Sequence, residues 1–187
     1  DGPAGQYARY LGDGPGRSFY PPVARFVTNS TDLPGLGDLA AQLQLLLLDV
    51  DGVLTDGGII LIGESEEAKR FDSQDGMGIT LARAAGIKVG IITSRSSRVV
   101  ARRAKELHID ELFQGVKDKP SVLATLGDKH GIEPAQAAFV GDDLQDIPPL
   151  RRVGIAIAVA NAVSDVKTCC DYVTRAEGGH GAVREVA

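Results

Sequence analysis

The run Leu45-Leu46-Leu47-Leu48-Asp49-Val50-Asp51-Gly52-Val53-Leu54-Thr55-Asp56-Gly57 organises the reading of this chain. Four leucines lead directly into two carboxylates, one residue apart, and a glycine. A strand buried on both faces reads as a continuous apolar run, and ligands of parallel sheets bind beyond the carboxyl ends of the strands. Side chains alternate along an extended segment, so Asp49 and Asp51 project to the same side at the mouth of such a sheet. Two close carboxylates repel unless a cation joins them, and a hard divalent ion such as magnesium, with a phosphate completing its shell, resolves the conflict. A plain strand end followed by an Asp-Gly turn fits the same residues. The later segments decide between the two.

Composition narrows the classes. At 187 residues the chain is long enough for one domain with a substantial core. A formal net charge of −5 argues against nucleic acid as a partner. Cys169 and Cys170 are adjacent, which is neither a disulfide framework nor a zinc spacing, and this favours a reducing compartment. No apolar run has the length of a membrane span, so a cytoplasmic protein with no membrane partner is expected. The sequence opens on Asp1 rather than Met, which leads us to expect a processed or trimmed chain.

Residues 1–35 hold five of the nine prolines, frequent glycine and no periodicity, and read as a flexible N-terminal arm. Leu36, Leu39, Ala40 and Leu43 have helical spacing. Ile59 to Ile62, a turn through Gly63 to Glu66, and Glu67 to Phe71 read as a β-hairpin inserted behind the first strand. Its first arm is apolar on both faces, so something must cover it: a neighbouring subunit or the N-terminal arm.

From Gly76 onward the pattern is α/β. A helix through Ile79 and Ala85 stops at Gly86, and the strand Lys88 to Ile92 ends in Thr93-Ser94-Arg95-Ser96-Ser97. That hydroxyl-rich loop at a helix N-terminus suits an anion, or serves as an ordinary N-cap. Lys119 stands beside Pro120 at the start of another helix. The strand Ala137 to Val140 then runs into Gly141-Asp142-Asp143-Leu144-Gln145-Asp146, a second strand ending in carboxylates. Three acidic groups so close together are costly without a cation. Ile155 to Val159 and Asp171 to Val173 supply the remaining strands. The expected fold is α/β, a Rossmann-like doubly wound parallel sheet with a small β-hairpin insertion and no large cap domain.

Asp49-x-Asp51-Gly52-x-Leu54-Thr55, then Thr93, then Lys119, then Gly141-Asp142-Asp143-x-x-Asp146, each at a strand end, resemble the four motifs of the haloacid dehalogenase superfamily. The likeness extends over residues 36–187 as one phosphatase domain. The hairpin, the segment Phe71 to Gly78 and the Gly179-x-Gly181-Ala182-Val183-Arg184-Glu185 tail resemble more narrowly the 3-deoxy-octulosonate 8-phosphate phosphatases of lipopolysaccharide biosynthesis. They resemble nearly as well the relatives that act on nonulosonate 9-phosphates.

The resemblance implies a magnesium-dependent phosphatase that works through an aspartyl-phosphate. Asp49 would be the nucleophile, and Asp51 the acid that protonates the leaving oxygen and later activates water. Asp49, Asp142 and the main-chain carbonyl of Asp51 would hold magnesium. Thr93 and Lys119 would hold phosphoryl oxygens, with Ser94 in support. Asp143 or Asp146 would support the metal through water or orient Lys119. Asp72, Ser73, Gln74, Asp75 and Gly76 lie where the family binds substrate, and Arg95 and Arg103 match its substrate-contacting basic positions. Gln74 replaces a usual arginine, Thr80 a usual basic residue, and His180 stands where octulosonate enzymes tend to have Arg; Arg83 is the candidate to compensate. The partner is then a small sugar-acid phosphate, and the family's assembly implies a homotetramer with hairpins packed together. A phosphatase-like assembly domain of a sugar-acid cytidylyltransferase is the rival from another class, and it would be marked by loss of the carboxylates that are all present here.

Overall fold

A computed structural model describes residues 36–187 apart from Ser65 and Asp110, so the expected N-terminal arm lies outside the described residues. The elements run α1 (Leu36–Ala41), β1 (Leu45–Leu48), β2 (Ile60–Ile62), β3 (Glu66–Ala68), α2 (Ser73–Ala84), β4 (Lys88–Ile92) and α3 (Arg98–Glu106). They continue β5 (Glu111–Phe113), α4 (Lys119–His130), β6 (Ala137–Gly141), α5 (Ile147–Leu150), β7 (Ile155–Ala158), α6 (Ser164–Lys167), β8 (Tyr172–Val173) and α7 (Ala182–Val186).

Six strands form one parallel sheet in the order β5-β4-β1-β6-β7-β8, with helices in the crossovers. β1 is therefore central, in register Leu45 to Lys88 on one side and Leu45 to Ala137 on the other. Its four leucines are all buried, which explains the uninterrupted apolar run. Phe139 of β6, Ile91 and Ile92 of β4 and Leu126 of α4 complete the centre of the core. Truncating one such leucine to alanine costs about 2–5 kcal/mol, so the sheet is a stiff platform for whatever leaves its carboxyl edge. The chain turns one way after β1 to reach β4 and the other way across to β6, so the strand order reverses at β1 and a crevice opens there.

β2 and β3 pair antiparallel as a separate two-stranded hairpin, in register Ile60 to Ala68. The second arm is shorter than the sequence suggests: it ends at Ala68, and Lys69 to Asp72 lead into the next helix. That helix, α2, begins at Ser73 rather than near Gly76, because the Asp72 side chain accepts the Gln74 N–H and caps it there. Among the described residues nothing covers the first hairpin arm, with Ile59, Ile60, Leu61 and Ile62 between 49% and 72% exposed. An exposed apolar stretch of this kind suits contact with a further segment or a partner.

The C-terminal turn folds back over the sheet edge. α7 packs on α2, where the buried Asp75 carboxylate accepts the Arg184 N–H at 2.9 Å and the Gly181 N–H at 3.4 Å. Asp75 thus ties two helices together. Burial lifts its carboxyl above the ordinary aspartate range against these hydrogen bonds. Among the described residues no helix is long and apolar enough to cross a membrane.

Candidate active site

The turn that follows β1 is held open by its own backbone. The N–H groups of Val53, Leu54 and Thr55 all converge on the Val50 carbonyl, and the Thr55 hydroxyl accepts from Gly52 and Gly57. Gly52 has φ +89°, and a Cβ there would lie 2.0 Å from Asp142 Oδ2, so only glycine lets the two carboxylate loops approach. A second layer locks this turn from outside. Asn161, past the end of β7, donates to the Gly52 carbonyl at 3.1 Å and accepts from Gly178, while the Gly179 N–H reaches the Val53 carbonyl. Gly178 packs so closely that a Cβ on it would fall 1.8 Å from the Gly52 oxygen.

Within this frame Asp49, Asp142 and Asp146 each place a carboxylate oxygen within 4.8 Å of the others. Lys119, from the first turn of α4, inserts its ammonium between them, 2.9 Å from Asp49 Oδ2 and 2.6 Å from Asp146 Oδ1. Its side chain is 2% exposed and lies over the Phe139 ring. Asp146 also accepts the backbone N–H groups of Asp142 and Asp143 through its other oxygen, which fixes the loop after β6. Asp143 caps the short 3-10 turn by accepting the Leu144 N–H. The two supporting aspartates therefore divide the work: Asp146 holds the lysine, and Asp143 holds the turn.

The electrostatics of this cluster are unbalanced. Burial and then the charge of Asp146 raise Asp49 to about 7, although Lys119 pulls it down. Burial, followed by the charges of Asp146, Asp49 and Asp143, pushes Asp142 up to about 8. Burial alone would pull Lys119 down, but Asp146 and Asp49 outweigh it and hold the ammonium above the ordinary lysine value. Asp142 Oδ1 is buried without a hydrogen-bond partner among the described residues. An all-carboxylate donor set, in excess over its one ammonium and with an unpartnered buried oxygen, suits a hard divalent cation. The residues present fit magnesium.

Thr93 follows β4 directly on the same side of the sheet, buried, with its hydroxyl accepting the Arg95 N–H at 3.4 Å. Ser94 is exposed and donates to Gln145 Oε1. Asp51 emerges toward the hairpin, paired with Lys69 and, through its other oxygen, with Arg95 Nε at 3.5 Å. Arg95 also donates to Glu67 at 3.0 Å. Arg103 goes elsewhere: it donates to the Asp72 carbonyl and lies over the Phe71 ring, so it clamps the start of α2. Of the segment Asp72 to Gly76, Ser73 and Gln74 are exposed, whereas Asp75 and Gly76 are turned into the fold. Gly76 faces Arg103, whose Nη2 would meet a Cβ there at 2.5 Å. Arg70 reaches from the hairpin exit to His180 and Asp56 at the rim. Sequence reasoning passed over Lys69 and Asn161; a strand-end position was the available signal for Asn161, and none pointed to Lys69.

This sheet and carboxylate constellation define a haloacid dehalogenase-like hydrolase, and residues 72–154 match the family model of that description. The 3-deoxy-D-manno-octulosonate 8-phosphate phosphatase of Escherichia coli K12 is 46% identical over 147 residues, covering 79% of this chain and 78% of its own. The crystal structure of the Moraxella catarrhalis phosphatase of that name, in complex with magnesium, phosphate and KDO, superposes with TM-score 0.78 at 45% identity, covering 80% of this chain and 86% of that one. The cobalt-bound Haemophilus influenzae phosphatase superposes with TM-score 0.77 at 35% identity, covering 79% and 86%. The chain belongs to the 3-deoxy-D-manno-octulosonate 8-phosphate phosphatase family of haloacid dehalogenase-like hydrolases.

A carboxyl whose pKa is higher in the folded than in the unfolded chain costs stability as pH rises from the ordinary carboxylate range to the folded value, and the full cost persists above it. In metal-free protein Asp142→Asn should therefore melt several degrees above wild type at pH 8.5 and converge on it only as pH falls toward the ordinary carboxylate range near 4, since burial pushes Asp142 up to about 8. Added magnesium should stabilise only the wild type. Differential scanning fluorimetry across pH, with chelator and with magnesium, reads both.

Proposed function

We propose that this chain is a magnesium-dependent phosphomonoesterase that hydrolyses 3-deoxy-D-manno-octulosonate 8-phosphate to the free sugar acid and phosphate. The observation that carries the reading is the Lys119 ammonium held between Asp49 and Asp146, beside the unpartnered Asp142 oxygen, at the carboxyl edge of the sheet. The named relatives, at 46% and 45% identity, supply the substrate.

Phosphate monoesters hydrolyse very slowly unaided, so the site must neutralise charge and align a nucleophile. Asp49 attacks phosphorus and forms an aspartyl-phosphate. The ester oxygen departs with the bonding electrons and takes a proton from Asp51. Asp51, now a carboxylate, takes a proton from water, whose oxygen attacks phosphorus and frees Asp49 and phosphate. Lys119 and Thr93 hold phosphoryl oxygens throughout, Lys119 as a cation kept charged by its carboxylates. Magnesium, held by Asp49, Asp142 and the Asp51 carbonyl, would neutralise phosphoryl oxygens and align the attack. Arg95 faces both Asp51 and the hairpin, so it is the arginine placed to meet the sugar. Arg103 also holds the start of α2, and Asp75 and Gly76 face into the fold.

Asp49→Asn should reduce turnover by on the order of 10⁴-fold or more without loss of fold, as for other covalent nucleophiles. Wild type should favour the octulosonate 8-phosphate over nonulosonate 9-phosphates by kcat/KM; the reverse preference would overturn the substrate and leave the phosphatase standing. Full activity after chelation would overturn the mechanism.

The exposed arm Ile59 to Ile62 supports a further part of the proposal: copies of this cytoplasmic enzyme pack hairpin to hairpin as a homotetramer. Ile60→Glu with Ile62→Glu should convert the tetramer to smaller species by sedimentation velocity. A wild-type monomer at micromolar concentration would contradict it.

A further inference from the structure

Lys69 lies one residue past β3, at the exit of the hairpin, and its side chain is 2% exposed. A lysine so enclosed is rare unless its charge is paired. Its partner is Oδ1 of Asp51, the group to which the mechanism gives the proton transfers. Arg95 holds the other oxygen of the same carboxylate at 3.5 Å. Glu67 stands between the two cations: Arg95 donates to its Oε2 at 3.0 Å, and Lys69 Nζ lies 3.9 Å from that oxygen. The carboxylate of Asp51 is therefore gripped on both oxygens, from the hairpin on one side and the loop after β4 on the other.

The two grips are unequal. The Arg95 side chain is 44% exposed, and exposed pairs contribute little. Lys69 is enclosed, so its pair is less screened by solvent. The backbone of Asp51 belongs to the turn pinned on Val50 and Thr55, which leaves its side-chain torsions as the freedom still to be restrained. We infer that Lys69 is a positioning residue that holds the Asp51 carboxyl in the orientation from which it protonates the departing ester oxygen. The inference rests on the phosphomonoesterase reading and deepens it. In the first step the P–O ester bond breaks, its electron pair stays on the ester oxygen, and the Asp51 proton moves there. The carboxylate left behind faces the Lys69 ammonium, which keeps it aimed for the proton it next takes from water.

A leaving group's need for that proton separates this role from a structural one. A sugar alkoxide cannot depart unprotonated, whereas p-nitrophenolate can, and kcat/KM reports only steps through cleavage of the ester bond. Lys69→Met should lower kcat/KM for the octulosonate 8-phosphate by on the order of 100-fold, the size of one general-acid contribution. For p-nitrophenyl phosphate the same variant should stay within about threefold of wild type, because no acid is needed in that step. Lys69→Arg should restore most of the loss on the sugar ester, and the magnesium-induced thermal shift should be unchanged in both variants. Should Lys69→Met fail to fold, Lys69→Gln against Lys69→Arg gives the same comparison. Equal losses on the two esters, or no loss on the sugar ester, would overturn the proposal alone. A wild type inactive on both esters would overturn the phosphatase reading and this role with it.

Discussion

One ammonium, that of Lys119, stands among the three carboxylates of Asp49, Asp142 and Asp146, and the rest of the structure follows from that shortage of positive charge. With Lys119 alone, burial and mutual repulsion force Asp49 and Asp142 to hold protons near neutral pH. A protonated nucleophile is a poor one. A divalent cation among these groups would favour their charged forms, so metal binding and proton release are linked there. Asp146 serves both sides of this balance, since it raises its neighbours and at the same time holds the lysine that opposes them.

Such a cluster needs a rigid frame, because repelling groups separate whenever the backbone yields. The buried leucines of β1 between β4 and β6 supply the platform. Gly52 permits the close approach of the Asp142 loop, and Asn161 with Gly178 presses the turn from outside. The hairpin enters from a different direction, carrying Lys69 and Glu67 to Asp51 and Arg95. The half of the site around Lys119 is thus built by the sheet, and the half around Asp51 by sheet and hairpin together. An assembly that covers the exposed arm of that hairpin would also steady Lys69.

Much of this was legible in the sequence where the signal is local. An unbroken apolar run means a strand buried on both faces, and two such runs ending in carboxylates locate the carboxyl edge of a parallel sheet. The hairpin was visible from its turn and its apolar arm, although its second strand stops at Ala68 because the chain must turn into the Asp72 cap. What was not legible depends on contacts between distant segments. Asp75 sits in a segment read as substrate-binding, yet it faces the Gly181 and Arg184 N–H groups more than a hundred residues away. Arg103, read as a substrate contact, also donates to the Asp72 carbonyl at the start of α2, a contact that only the folded chain brings about. Lys69 is an unremarkable lysine in a charged stretch until the hairpin folds back on Asp51.

Raised by burial and by one another, Asp49 and Asp142 should give up protons when a divalent ion binds. Calorimetric titration of magnesium into metal-free protein at pH 7, repeated in buffers of different ionisation enthalpy, counts the protons released per chain. With Asp49 pushed up to about 7 and Asp142 to about 8, about one proton or more should be released. Binding without proton release would show that Lys119 alone already balances the cluster, and would contradict it.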